Sequence, residues 1–257
     1  MNIDVIGKGA RLSDAARLIS GTERGKRYPD SLIILPIPTS RDGVHITGTE
    51  TPLSELSLYE GCFVAGYGLP PSFREYLDSC KVPFFDAAED EKFVLENAEI
   101  SALGALSYVL GKEKRVPKDI KVGIVGYGRI GKELVKSFLF LGARVKVFTS
   151  RPALQFELGE CGIEASPVGK QDFDCSSLCG VDVLINTAPA NLSYFFPAGV
   201  IGKMRVIDLA SGDSFPDILG VEYLPSIPEI MYPVSGGAAY GKAIERVLIE
   251  RYGGGGL

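Results

Sequence analysis

The sequence predicts an α/β protein, a doubly wound parallel sheet with a smaller α/β domain ahead of it, on three observations. Short β-branched runs alternate with helix-length segments along the chain, the order expected of parallel strands joined by crossovers. A glycine-rich turn, Gly126 to Gly131, joins an apolar run to an amphipathic stretch. A helical segment and then the charged stretch KEKRVPKD mark an internal boundary. At 257 residues and 46% hydrophobic, the chain is long enough to bury two modest cores.

In chain order, Ile3 to Ile6 reads as a strand and Ser13 to Ile19 as a helix, with Gly21 to Asp30 a polar surface loop. Leu32 to Ile37 is a β-branched strand whose exit carries Pro36 and Pro38, so it leaves into a loop. Cys62 to Ala65 is a third strand, Pro70 to Cys80 a helix opened by proline, and Val82 to Phe85 a fourth strand. The acidic DAAEDE leads into a long helix read from Asn97 to Leu110 and ended by Gly111. Beyond it, Lys121 to Val125, Arg144 to Phe148, Val181 to Asn186 and Val206 to Leu209 form a series of buried strands. Ala238 to Ile249 is the final helical pattern. The domains are read as 1–96, a small substrate-side α/β domain completed by a C-terminal helix over 236–252, and 97–235, a nucleotide-binding domain that includes the interdomain helix; 253–257 is a flexible tail.

The turn itself carries the chemistry. In Gly126, Tyr127, Gly128, Arg129, Ile130 and Gly131, the first glycine permits the tight turn, the second lets backbone approach a pyrophosphate, and the third lets helix pack on strand. With a strand before and a helix after, this is a Rossmann dinucleotide site. An NAD-selective site places Asp or Glu about 20 residues further on. Here the second strand ends in Thr149, Ser150 and Arg151, hydroxyls and a guanidinium that suit a 2′-phosphate. The expected cofactor is therefore NADP(H). Ligands in such sheets bind at the carboxyl ends of strands, so Asn186, Thr187, Ala188 and Pro189, with Asp208, Leu209, Ala210 and Ser211, are expected to line the nicotinamide side.

A formal charge of −5 provides no basic surface for phosphate backbones, so no nucleic acid partner is expected. No leader and no membrane-spanning stretch is read, and a cytoplasmic location is expected. Cys62, Cys80, Cys161, Cys175 and Cys179 are odd in number and scattered, hence free thiols with no metal site. A homo-oligomer is expected.

The segments LPIPTSRDGV (Leu35 to Val44), FFDAAEDEKFVLENAEISALGAL (Phe84 to Leu106), VGIVGYGRIG, VLINTAPA, VIDLASGD and LPSIPEIMYPVSGG (Leu224 to Gly237) together resemble the A-type subunit of dipicolinate synthase, an enzyme of sporulating bacteria. The resemblance implies a small domain plus a Rossmann domain, similar to D-2-hydroxyacid dehydrogenases. It implies an NADP-dependent oxidoreductase forming dipicolinate from a dihydrodipicolinate-type precursor, a small anionic cyclic dicarboxylate. It also implies a flavoprotein-like B-type subunit as partner. One departure is that the segment from Ile19 to Ser31 is short for the extra strand and helix expected of the family's N-terminal domain.

No catalytic residue is assigned. Hydroxyacid dehydrogenases place an acid/base His late in the chain, whereas the one His here is His45, read as a surface residue; a hydroxyacid dehydrogenase relative and a non-catalytic NADP(H)-binding regulatory subunit are the alternatives. For the substrate, Thr39, Ser40 and Arg41 could grip a carboxylate. Asn97, Glu99 and Ser101 are read as opening the helix beside the interdomain cleft, or as its caps. Tyr232 and Ser235 lie in the stiff approach to the last helix. The acidic Glu89, Asp90 and Glu91 read as a solvated turn.

Overall fold

The computed structural model describes residues 1–21, 28–168, 174–193, 195–196, 199, 202–210, 212, 214–215 and 218–253. Residues 22–27 of the polar loop, Ser211 and the tail from 254 to 257 lie outside the described residues. The chain divides into two compact units, Met1–Asn97 with Tyr232–Leu257, and Ala98–Met231.

The first unit holds β1 (Asn2–Val5), α1 (Ala10–Ser20), β2 (Ser31–Ile34), β3 (Cys62–Gly66), α2 (Pro71–Ser79), β4 (Phe84–Asp86), the opening turns of α3 (Glu91–Lys112) and the last helix, α7 (Pro233–Tyr252). The strands form a parallel sheet in the order β1-β2-β3-β4. Central β2 and β3 are buried along their whole length, which is why they read as unbroken apolar runs rather than alternations. Leu35, Leu53, Val64, Phe73 and Leu77 belong to one core cluster here. α1 and α7 pack closely through glycine: a Cβ on Gly237 would lie 2.5 Å from the Arg11 carbonyl oxygen, and one on Gly241 3.0 Å from that of Ala15. The fully buried Tyr240 donates its hydroxyl to the Leu35 carbonyl at 3.3 Å.

The second unit holds β5 (Lys121–Val125), α4 (Arg129–Phe140), β6 (Arg144–Thr149), α5 (Pro152–Glu160), β7 (Glu164–Pro167), β8 (Val183–Asn186), β9 (Arg205–Asp208), β10 (Val221–Tyr223) and α6 (Ile227–Met231). Its six parallel strands run β10-β9-β8-β5-β6-β7. Read from the other edge, this is the doubly wound order 3-2-1-4-5-6, and the direction of winding reverses between β5 and β8. The fold is therefore α/β with parallel sheets, as the alternation of patterns predicts.

Several boundaries differ from the sequence reading. α3 opens at Glu91, because Asp90 Oδ1 accepts the Phe93 amide at 3.1 Å and caps the helix early. Asn97, Glu99 and Ser101 are thus interior helix residues, neither openers nor caps, and Gly111 lies inside the last turn. At 22 residues α3 is long and apolar enough by composition to cross a membrane, but 56% of that window is buried within the protein. The last helix begins at Pro233, three residues before the expected start, since proline suits a first turn. α5, α6, β7 and β10 are elements that the sequence reading does not anticipate. β7 and β10 have four and three residues with no fully buried position, too short and too exposed for a periodic signal. The acidic cluster is also less solvated than its composition suggests: buried Asp86 accepts the amides of Gly68 and Leu69, each at 2.7 Å, and pairs with Arg74.

Candidate functional site

The Gly126–Gly131 turn leaves the carboxyl end of β5 at the point where the winding reverses. Gly126 has φ +89°, and its amide donates to the Phe148 carbonyl at 2.9 Å, tying the turn to β6. A Cβ there would meet Thr187 Oγ1 at 2.8 Å, and a Cβ on Gly131 would meet the Gly126 carbonyl oxygen at 2.3 Å. Both glycines are required by protein packing. Gly128 is different: it is the N-cap of α4 with no side-chain capping bond, and a Cβ there meets no heavy atom within 4 Å. The open space lies where the first-turn amides of α4 point, and no acidic side chain occupies that turn. Unsatisfied amides and the positive end of a helix dipole form an anion cradle. The adjoining exposed Arg129 and half-buried Tyr127 and Ile130 complete the turn.

Beside the turn lies a cavity of about 210 Å³, lined by apolar Val125, Phe148, Val168 and Leu192 together with Ser150 and Arg151. Arg151 Nη2 donates to the Tyr127 carbonyl at 3.2 Å, and Lys132 Nζ lies 5.8 Å from the Tyr127 ring centroid. Thr149 is buried, and its hydroxyl accepts the Arg151 amide at 3.2 Å. Ser150 and Arg151 therefore present exposed polar groups, while Thr149 shapes the strand end.

On the other side of β5, Thr187 donates its hydroxyl to the Val125 carbonyl at 2.9 Å. Asn186 and Asp208 end paired strands and face each other: Asn186 Nδ2 donates to Asp208 Oδ1 at 2.8 Å and to the Ala188 carbonyl at 3.1 Å. The Asp208 carboxyl also accepts the Ala210 amide at 3.0 Å. Burial pushes its pKa up, and those hydrogen bonds act in the opposite direction. These two side chains bind the strand ends together; Leu209 and Ala210 are buried beside them and Pro189 is exposed.

The substrate candidates fall in two groups. In the first unit, Thr39 is fully buried, accepting the Tyr67 amide at 2.8 Å and donating to the Pro36 carbonyl at 3.2 Å, so it braces the loop after the cis Ile37–Pro38 bond. Ser40 donates to Asp42 Oδ1 at 3.1 Å and Arg41 is exposed. Asn97 Oδ1 accepts from buried Arg11 Nη2 at 2.7 Å; Tyr232 and Ser235 are exposed before and on the first turn of α7. In the second unit, Glu99 is exposed and Ser101 buried on α3. His45 holds its Nδ1 2.7 Å from Asp42 Oδ2. That bond raises the imidazole pKa and, with the His45 and Val44 amides, holds the Asp42 carboxyl well below the usual range. Asp42 is a partner that sequence reasoning misses, although its place three residues before His45 is the signal that could have found it.

Among the described residues no group of three or more His, Cys, Asp or Glu side chains is arranged to hold a metal ion.

No family model matches the chain. In sequence, it is 27% identical over 138 residues to the A-type subunit of dipicolinate synthase from Bacillus subtilis (strain 168), a match covering 51% of this chain and 46% of that protein; the match thus spans about half the length of the curated relative. In structure, it is similar to the A-type subunit of dipicolinate synthase from Bacillus halodurans, with a TM-score of 0.70 and 22% identity over 96% of this chain and 97% of that one. The corresponding Bacillus subtilis structure gives a TM-score of 0.71 with 19% identity over 97% and 96% of the two chains. An L-alanine dehydrogenase gives 0.56 with 15% identity over 98% and 90%. At such coverage, the short segment between Ile19 and Ser31 leaves no domain-sized piece of the solved relatives unmatched. The structural likenesses show the fold, a dehydrogenase fold of Rossmann type. In sequence over half its length, and in fold over nearly all of it, this chain is similar to the A-type subunit of dipicolinate synthase.

Proposed function

We propose that this protein is an NADP-dependent oxidoreductase that forms dipicolinate from a dihydrodipicolinate-type precursor. The observation that carries the reading is the space at Gly128, open in front of the α4 amides and flanked by Ser150 and Arg151 with no acidic side chain at the end of β6. The α4 amides bind the pyrophosphate. Ser150 and Arg151 bind the 2′-phosphate through charge-assisted hydrogen bonds, which a carboxylate at the same place would repel. The apolar walls Val125, Phe148, Val168 and Leu192 take the adenine end, while Asn186 and Asp208 hold the β8 and β9 ends in register for the nicotinamide side. When bound, the oxidised nicotinamide supplies the hydride acceptor. Ser40 and Arg41 grip a substrate carboxylate. The similarity to a protein named as a subunit supports assembly with a second, flavoprotein-like subunit.

The test is an absorbance assay at the NADPH band with NADP⁺, freshly generated dihydrodipicolinate and, separately, a panel of 2-hydroxyacids, with and without a B-type subunit. NADPH formation with the cyclic dicarboxylate alone is the expected result. Turnover confined to hydroxyacids, or NADPH binding without any turnover in either arm, overturns the assignment of this reaction.

A further inference from the structure

Among the described residues β4 is an edge strand, paired with β3 on one side only. The parallel register, with the Val64 amide donating to the Pro83 carbonyl at 3.1 Å, turns Phe85 toward β3. By the alternation of a parallel ladder, the N–H and C=O of Phe84 and the N–H of Asp86 then face the open side. A cavity of about 540 Å³ runs along that side, lined by five consecutive residues, Val82 to Asp86, and walled opposite by Arg246, Val247, Glu250 and Arg251 of α7. A run of adjacent residues whose side chains alternate between faces can line one cavity only along a strand's edge, so the cavity follows the backbone of β4. Unpaired edge groups beside a groove are a template for another strand.

The charges select the occupant. The cationic Arg246 is already paired with Asp90, and Arg74 with Glu89; the Arg251 guanidinium sits over the Phe63 ring, 5.5 Å from its centroid. Asp78 and Glu250 add exposed carboxylates to the lining. The groove is therefore acidic in balance. We propose that it is a docking site for an extended, basic segment of a partner protein, which adds to β4 as a fifth strand and sets Lys or Arg side chains against Asp78 and Glu250. This surface lies within the first unit and is independent of the nucleotide reading.

The experiment uses the full chain and a fluorescein-labelled hexapeptide of alternating lysine and valine, followed by anisotropy at low salt. Its control is the same peptide N-methylated at alternate amides, which keeps the charge and removes the strand's hydrogen-bonding edge. Saturable binding at least tenfold tighter than the N-methylated peptide, and weakened at least tenfold by the surface double variant Asp78→Lys with Glu250→Lys, is the expected result. Equal binding of both peptides reduces the groove to charge attraction and overturns the proposal, as does no saturable binding. Sedimentation without peptide supplies the last arm: self-association of the wild type that the double variant abolishes would assign the groove to a second copy and overturn it too. A circular dichroism melt of the double variant, unchanged from wild type, establishes that its folding is intact.

Discussion

Gly128 and Gly131 stand three residues apart in one turn, and the same substitution is expected to act on them through different physics. Gly131→Ala drives a methyl to 2.3 Å from the Gly126 carbonyl oxygen, a contact that forces the helix off the strand and costs roughly 1–3 kcal/mol as overpacking. Gly128→Ala meets no protein atom, so its melting temperature should stay near wild type while NADPH affinity falls at least tenfold, because the methyl fills the pyrophosphate space. A melt paired with a titration separates the two. The turn was legible in the sequence down to its individual glycines, since each answers a local backbone demand. The polar side chains were less so: Thr39, Thr149, Asn186 and Asp208 look like ligands in sequence, yet the fold turns each toward a protein partner. Residue type alone does not distinguish a group that grips a ligand from one that braces the loop beside it.

At the scale of elements, the α1–α7 pair rests on close approach rather than on large side chains. Gly237→Ala puts a methyl 2.5 Å from the Arg11 carbonyl oxygen and 2.7 Å from Asp14 Cβ, and is expected to cost about 1–3 kcal/mol in a denaturant titration. Nucleotide affinity should be little changed. The edge of the large sheet offers an electrostatic counterpart. Arg205, with Lys112 and Tyr108, holds the pKa of Glu222 on β10 at about 2, against the opposing effect of its partial burial. Since the folded value lies below the unfolded one, the stabilisation is complete above the ordinary glutamate range and is lost as pH falls toward 2. Glu222→Gln should therefore destabilise by about 1–2 kcal/mol at pH 7, with the difference from wild type shrinking as pH drops from about 4.5. A constant difference across that range would contradict the ion-pair account. Long buried strands such as β5 and β6 were legible because apolar runs bounded by turns leave few alternatives. β7, β10 and α6 were not, because three to five residues at a sheet edge or between helices carry no period. α3 reads short in sequence because Asp90, which looks like part of a solvated turn, is its cap.

At the scale of the whole molecule, a parallel sheet whose winding reverses at β5 and β8 supplies the nucleotide crevice, and a second parallel sheet forms a unit of its own. The fold class and the order of elements followed from alternation along the sequence. The reaction did not, since it depends on groups brought together by the fold and on a substrate that no motif names. The central claim is that the crevice is built for NADP(H), and titration of the protein with NADPH and with NADH, read by nucleotide fluorescence, tests it most directly. NADPH should bind at least tenfold tighter, as charge-assisted hydrogen bonds of about 1.5–3 kcal/mol require, and Arg151→Glu should erase that preference while leaving NADH within a few-fold. Equal affinity of the wild-type protein for the two nucleotides, or tighter binding of NADH, would contradict the claim.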